Sequence, residues 1–214
     1  MADQLSPRAQ YIKKHGFLSD QEILNRYQAK YVEFEKQAEI SLLGHSLFDL
    51  WMDIDGYQPM LAGKSTANLG ISGISAFQYL DLIVRPKRIK WLGDTVFLFL
   101  GVNDIAKELD YSPENLVKWL TEIVDGLKQI SPHSNYYLLE VTPTLKRENV
   151  TNEQIRQLNR YLKQHCPNTL HFIETYQAFS DENQDLRAEL TSDGIHFTKA
   201  GYDVLVGLLR QFVK

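Results

Sequence analysis

The sequence has little cysteine and no long apolar run. Its one cysteine, Cys166, cannot form an intrachain disulfide, so nothing in the sequence indicates an oxidising compartment. Every apolar stretch is far shorter than the roughly 20 residues that span a bilayer. Residues 1–8 are polar and do not resemble a signal peptide. We therefore expect a cytoplasmic protein without membrane insertion.

An excess of positive charge is also absent. The chain carries 23 Lys and Arg against 27 Asp and Glu, for a net charge of −4. This balance argues against a nucleic-acid partner, because such binders normally carry a basic stripe. Asp49, Asp53 and Asp55 lack His or Cys partners at ligand spacing, so we interpret them as solvated loop carboxylates rather than a metal site. No metal and no organic cofactor is expected.

What the sequence does contain is an alternation of short apolar runs and longer amphipathic stretches. The 214 residues, 43% of them hydrophobic, suffice for one well-buried domain. Strands are predicted over residues 40–43, 67–69, 95–100, 136–141 and 170–173. Helices between them predict an α/β fold with a parallel sheet covered on both faces. Right-handed crossovers favour a three-layer α/β/α sandwich whose five parallel strands have the flavodoxin-like order 2-1-3-4-5.

Helix boundaries are marked by capping signals. A capping box beginning at Ser19 predicts a helix over residues 19–39. We interpret residues 1–39 as an N-terminal helical extension packed on a catalytic domain of residues 40–214. Four further helices are predicted in that domain, over residues 74–83, 112–130, 151–165 and from 198 to the C-terminus.

Candidate functional segments follow four of the five predicted strands. They are residues 44–46, residue 70, residues 101–104 and, after a longer loop, residues 193–196. The carboxyl ends of parallel strands lie at one edge of a sheet, where α/β proteins bind ligands. We therefore expect these four segments to meet in space, although they span 150 residues of sequence.

The residue types in these segments match the needs of acyl transfer. Ser46 is a candidate nucleophile that requires a base, His196 can supply it, and Asp193 can orient the imidazole. The tetrahedral intermediate carries an oxyanion that needs donors already aimed at it. The N–H groups of Ser46 and Gly70 and the side-chain amide of Asn103 are predicted to be those donors.

The four segments resemble the conserved blocks of the SGNH hydrolases, also called the GDSL esterase/lipase family. The matches are Ser46 in Gly-His-Ser-Leu, Gly70 in Asn-Leu-Gly-Ile-Ser-Gly, Asn103 in Gly-Val-Asn-Asp and His196 in Asp-Gly-Ile-His-Phe. The family's aspartate, three residues before its histidine, matches Asp193. The resemblance covers roughly residues 40–214 and implies a serine esterase that acts on a small-molecule ester through an acyl-enzyme.

The sequence departs from the family pattern at His45, where the first block usually has aspartate. We hypothesise a structural role for His45; contact with substrate is the alternative. The loops expected to wall the pocket contain no long apolar lid, which favours small or short-chain esters. They are residues 48–66, 142–150 and 174–192. A non-catalytic binding module on the same fold is the competing interpretation, because a fold does not by itself establish a function.

Overall fold

The protein is described by a computed structural model over residues 5–145 and 147–214. Six strands form one sheet: β1 Ile40–Gly44, β2 Met60–Leu61, β3 Lys64–Gly70, β4 Thr95–Phe99, β5 Asn135–Leu139 and β6 Leu170–Ile173. The sheet order is β2-β3-β1-β4-β5-β6, and every pair except β2-β3 is parallel. The predicted α/β fold and the order of its five parallel strands are confirmed.

The additional strand is β2, which the sequence did not predict. It forms a short antiparallel hairpin with β3 through a turn at Ala62 and Gly63, both of which have positive φ angles. Two residues are too short to show the alternation of apolar and polar side chains on which strand prediction relies. The sheet therefore has six strands rather than the five expected.

Helices lie on both faces of the sheet. The described residues contain ten α-helices: α1 Pro7–Lys14, α2 Asp20–Ala29, α3 Tyr31–Glu35, α4 Ser46–Asp49, α5 Ala76–Tyr79, α6 Val102–Lys107, α7 Pro113–Lys128, α8 Asn152–His165, α9 Tyr176–Phe179 and α10 Lys199–Leu209. Val96 and Leu98 of β4 join the apolar core beneath α5, α7 and α8, whereas Phe97 and Phe99 join a second core beneath α4, α9 and α10. Alternate side chains of a strand point to opposite faces, so β4 is buried on both sides.

The N-terminal helix is shorter than predicted. The capping box at Ser19 is present, but α2 ends at Ala29, and α3 ends at Glu35 rather than near residue 39. The interruption falls at Lys30, whose side chain is buried and whose Nζ donates to the Gly70 carbonyl over 2.7 Å. A tertiary contact thus overrides local helix propensity at this position.

Two parts of the predicted organisation fall partly beyond the described residues. These are residues 1–4 of the N-terminal extension and residue 146 of a predicted pocket loop. Elsewhere the N-terminal helices make polar contacts with later elements, as in the ion pair between Arg8 and Glu108. Within the ranges described, no helix combines the length and apolar character needed to cross a membrane.

Candidate active site

Three of the four predicted segments meet in one cavity at the carboxyl edge of the sheet, and residue 70 is the exception. Ser46 is the first residue of α4, directly after β1, and Asn103 lies in α6, directly after β4. Asp193 and His196 lie in the loop that precedes α10. A cavity of about 370 Å³ is lined by Ser46, Asn103 and His196 together. The parallel sheet thus brings residues 150 positions apart into one site.

Ser46, His196 and Asp193 form a continuous chain of hydrogen bonds. The Ser46 Oγ lies 3.0 Å from His196 Nε2, and His196 Nδ1 lies 2.6 Å from Asp193 Oδ2. The other oxygen of Asp193 accepts the backbone N–H groups of Ile195 and His196, at 2.9 and 2.8 Å. Partial burial raises the pKa of Asp193, but the hydrogen bonds from His196 and Ile195 outweigh it and hold that pKa at about 2. Asp193 is therefore a carboxylate that directs His196 Nε2 toward Ser46.

The side-chain amide of Asn103 is held from both ends. Its Nδ2 donates to the Ile74 carbonyl over 2.9 Å, and its Oδ1 accepts from Arg147 Nη2 over 2.9 Å. These bonds fix which end of the amide is the donor. A primary amide has two N–H groups, so one N–H of Nδ2 remains available to a substrate oxygen in the cavity.

Gly70 does not reach the cavity, although the sequence predicted it as an oxyanion donor. Its N–H donates to Asn68 Oδ1 over 3.1 Å, and a Cβ at this position would lie 2.6 Å from the Asp49 nitrogen. Gly70 therefore allows close packing of β3 against α4. In the loop beyond the end of β3, the chain lines the cavity at Ser72 and Gly73.

Gly73 is the residue that the sequence reasoning missed at this site. It lines the cavity with Ser46 and Asn103, has a φ of +73°, and makes no hydrogen bond through its N–H within the described residues. Glycine adopts a left-handed φ without the steric cost that a Cβ imposes. The sequence does contain a signal for it, since Gly73 is the second glycine of Asn-Leu-Gly-Ile-Ser-Gly. The first glycine, Gly70, was predicted instead because the donor was expected directly at the end of the strand.

His45 is buried next to Ser46. Its Nδ1 accepts the N–H of Leu47 over 3.3 Å, which caps the first turn of α4, and its ring packs on Phe99. Burial, followed by the positive charge of Arg147 and the proximity of His196, lowers the pKa of His45 to about 3. His45 is thus neutral and has the structural contact that we hypothesised from the sequence.

The buried His45 makes a contribution to stability that depends on pH. Its pKa is about 3 in the folded protein against an ordinary value of 6.5, so only the unfolded chain binds a proton between these values. Stability from this group is present above pH 6.5 and is lost as the pH falls toward 3. Between pH 7 and pH 5, the free energy of unfolding in urea should therefore fall by about 2 kcal/mol less for His45→Asn than for wild type.

The exposed His133 provides the control for that measurement. His133→Asn should lose as much stability between pH 7 and pH 5 as wild type does. Other titrating groups are common to all three proteins and cancel in the comparison. Equal losses in wild type and His45→Asn would show that His45 does not remain neutral in the folded protein.

Asp49 is not a solvated loop carboxylate, and that interpretation was wrong. It is fully buried, accepts two bonds from Arg26 at 2.9 and 2.8 Å and one from Lys30 at 2.7 Å, and also accepts the N–H and hydroxyl of Ser72. Burial raises its pKa, but the bonds and charges of Arg26 and Lys30 hold that pKa at about 2. Asp49 thus ties α2 to the helix that begins at Ser46 and to the loop that leads to Gly73.

The other two aspartates interpreted as loop carboxylates are solvated, as predicted, and a further, buried aspartate has a capping role. Asp53 and Asp55 are exposed. Asp104 is buried and accepts the N–H groups of Ala76 and Phe77, so it caps the start of α5. Among the residues that the structure describes, no group of three His, Cys, Asp or Glu side chains is arranged to hold a metal ion.

Comparison with known proteins gives relatives by sequence and solved structures with a similar fold. An N-acylneuraminate cytidylyltransferase of Escherichia coli is 34% identical over 194 residues, which cover 91% of this chain and 45% of the relative. The chain thus spans about half the length of that relative. Among solved structures, a Streptococcus pneumonia protein provisionally described as a platelet activating factor has a TM-score of 0.77 and 21% identity, covering 91% of this chain and 96% of its own.

A second solved structure has the same fold. It is a GDSL-like lipase of Bacteroides thetaiotaomicron, with a TM-score of 0.66 and 21% identity, covering 87% of this chain and 96% of its own. The model of the GDSL-like Lipase/Acylhydrolase family matches residues 42–204, which include every segment of the site described above. The chain therefore belongs to the GDSL-like lipase/acylhydrolase family.

Proposed function

We propose that this protein is a serine esterase that hydrolyses a small or short-chain carboxylic ester through an acyl-enzyme. Membership in a lipase/acylhydrolase family supports ester hydrolysis in general terms. The observation that carries the specific proposal is the chain of hydrogen bonds from Asp193 through His196 to Ser46, which ends at a cavity. An isolated serine has no such base, and its hydroxyl is a weak nucleophile.

The reaction follows from the positions of these three groups. Ser46 Oγ attacks the ester carbonyl carbon while His196 Nε2 takes the hydroxyl proton. The tetrahedral intermediate collapses, the C–O bond to the alcohol breaks, and His196 returns the proton to the departing oxygen. Water then attacks the acyl-enzyme with His196 again as base, which releases the acid and restores Ser46. Asp193 stabilises the imidazolium at each step.

The oxyanion is proposed to be held by three donors. They are the backbone N–H groups of Ser46 and Gly73 and the free N–H of Asn103 Nδ2. All three residues line the cavity, and the two backbone N–H groups are unpaired within the described residues. Donors that are already oriented stabilise the negative charge as it forms, without reorganisation.

Removal of one of these donors should slow the reaction without abolishing it. Asn103→Ala is expected to lower kcat by roughly 10²–10³-fold, the usual effect of deleting one oxyanion donor. The measurement is the steady-state hydrolysis of p-nitrophenyl acetate, with thermal unfolding to confirm that the fold is intact. Asn183→Ala, at an exposed loop position, is the control and should match wild type. An unchanged kcat in Asn103→Ala would remove Asn103 from the proposed oxyanion site.

The size of the cavity supports a short acyl group. The cavity volume is about 370 Å³, which suits a short acyl chain better than a long one. Rates on p-nitrophenyl esters from acetate to palmitate should therefore fall as the chain lengthens. A preference for long chains would contradict this proposal. The relative is named for N-acylneuraminate, so an acetyl ester of N-acylneuraminate belongs among the substrates tested.

A further inference from the structure

The cavity beside Ser46 has a positive charge but no acidic side chain to balance it. Arg147 lines the cavity, and Asp and Glu are absent from the described residues around it. Within residues 5–145 and 147–214, Arg147 forms no ion pair; its one hydrogen bond is the bond to Asn103 Oδ1. Burial lowers the pKa of Arg147, because an unpaired charge is unfavourable away from water. An anionic ligand would supply the counter-charge that Arg147 lacks.

His45, which also lines this cavity, has a second unused donor. Its Nδ1 accepts the N–H of Leu47, so the proton of the neutral ring lies on Nε2. That Nε2 is buried and has no hydrogen-bond partner in the described part of the chain. Buried donors are nearly always paired. An unpaired donor in the wall of a ligand cavity, on a different element from Arg147, is independent support for an acceptor that arrives with the ligand.

We propose that Arg147 and His45 form a carboxylate-binding subsite, and that the natural substrate is a small ester that carries a carboxylate. This inference rests on the proposed esterase function. One guanidinium and one neutral imidazole match a single negative charge, whereas a phosphate dianion would leave charge unbalanced. Four of the five guanidinium N–H donors remain after the bond to Asn103, enough for the two parallel bonds that arginine makes to a carboxylate. His45 adds a donor that the usual aspartate of this family position cannot supply.

A purely positioning role for Arg147 makes a different prediction. If Arg147 only orients the Asn103 amide, its replacement should slow every ester by the same factor. If it also binds a substrate carboxylate, its replacement should slow acidic esters much more than neutral ones. A comparison of matched acidic and neutral substrates therefore separates the two roles.

The substrates for this comparison are 2-acetoxyacetate, 3-acetoxypropanoate and 4-acetoxybutanoate, each paired with its primary amide. Three lengths are used so that one can span from Ser46 to the subsite. Wild type should prefer at least one acid over its amide by roughly tenfold or more in kcat/KM, mainly through KM. Arg147→Gln should remove that preference, and Arg147→Lys should retain part of it because the charge remains. Arg160→Gln, at an exposed arginine, should behave as wild type.

Two results would overturn the subsite. One is a wild-type enzyme that hydrolyses acids and amides equally at all three lengths. The other is an equal loss on both in Arg147→Gln, which would assign Arg147 to positioning alone. Binding can also be followed without catalysis. The acids should raise the melting temperature of Ser46→Ala more than their amides do, and this difference should disappear in the double variant that also carries Arg147→Gln. Failure of all ester hydrolysis would reject the esterase, while this binding measurement would still decide the subsite.

Discussion

Ser46→Ala is expected to lower kcat for p-nitrophenyl acetate by roughly 10⁴-fold or more, because among the described residues Ser46 has the one cavity hydroxyl that is hydrogen-bonded to His196. His196→Ala should have an effect of similar size, since Ser46 Oγ donates its proton to His196 Nε2 across 3.0 Å. The two losses should not add, because the residues act as one unit. Initial rates of the single and double variants, measured at one pH, provide the test.

A fluorophosphonate probe distinguishes the esterase from a binding module. Wild type should be labelled covalently, with the label on the peptide that contains Ser46. The matched control is Ser65→Ala, near the N-terminal end of β3 and away from the cavity. This variant should be labelled to the same extent as wild type. Full activity in Ser46→Ala would reject the nucleophile. Absence of both labelling and ester hydrolysis in wild type would favour the binding module.

Asp49→Ala should give the largest loss of stability, about 3–5 kcal/mol, because it leaves the buried Lys30 ammonium and the partly exposed Arg26 guanidinium without their counter-ion. Lys30 is 6% exposed and Asp49 is 0% exposed, so solvent cannot replace the missing carboxylate. The free energy of urea unfolding at pH 7 measures this loss. Esterase activity should fall as well, since Asp49 joins the helix of Ser46 to the loop of Gly73 through Ser72.

The neighbouring Asp53 supplies a matched control. It is exposed, so Asp53→Ala should change stability by no more than about 0.5 kcal/mol. The folded-state pKa of Asp49 is about 2 against an ordinary 3.8, so its contribution is present above pH 3.8 and is lost as the pH falls toward 2. Equal stabilities of the two variants at pH 7 would show that the buried ion-pair network adds nothing to the fold.

The order of the five parallel strands and most segments of the candidate site were predictable because both depend on local patterns. The apolar run at residues 95–100 identifies the central strand β4, and helices between strands require parallel crossovers. Ser46, Asn103, Asp193 and His196 could be recognised because each lies in a short block that follows a predicted strand, and a parallel sheet brings such blocks to one edge. No distance had to be known to reach that conclusion.

The sequence alone determined the fold class, the order of the five parallel strands and the candidate residues Ser46, Asn103, Asp193 and His196, since periodicity and strand ends depend on neighbouring positions. Only the tertiary structure decided which glycine reaches the cavity, because Gly70 and Gly73 differ in what their N–H groups meet across the fold. It also decided that Asp49 is buried and that Arg147 enters the site. The partners of Asp49 and Arg147 are 19 or more residues away, and such pairings depend on how whole elements pack.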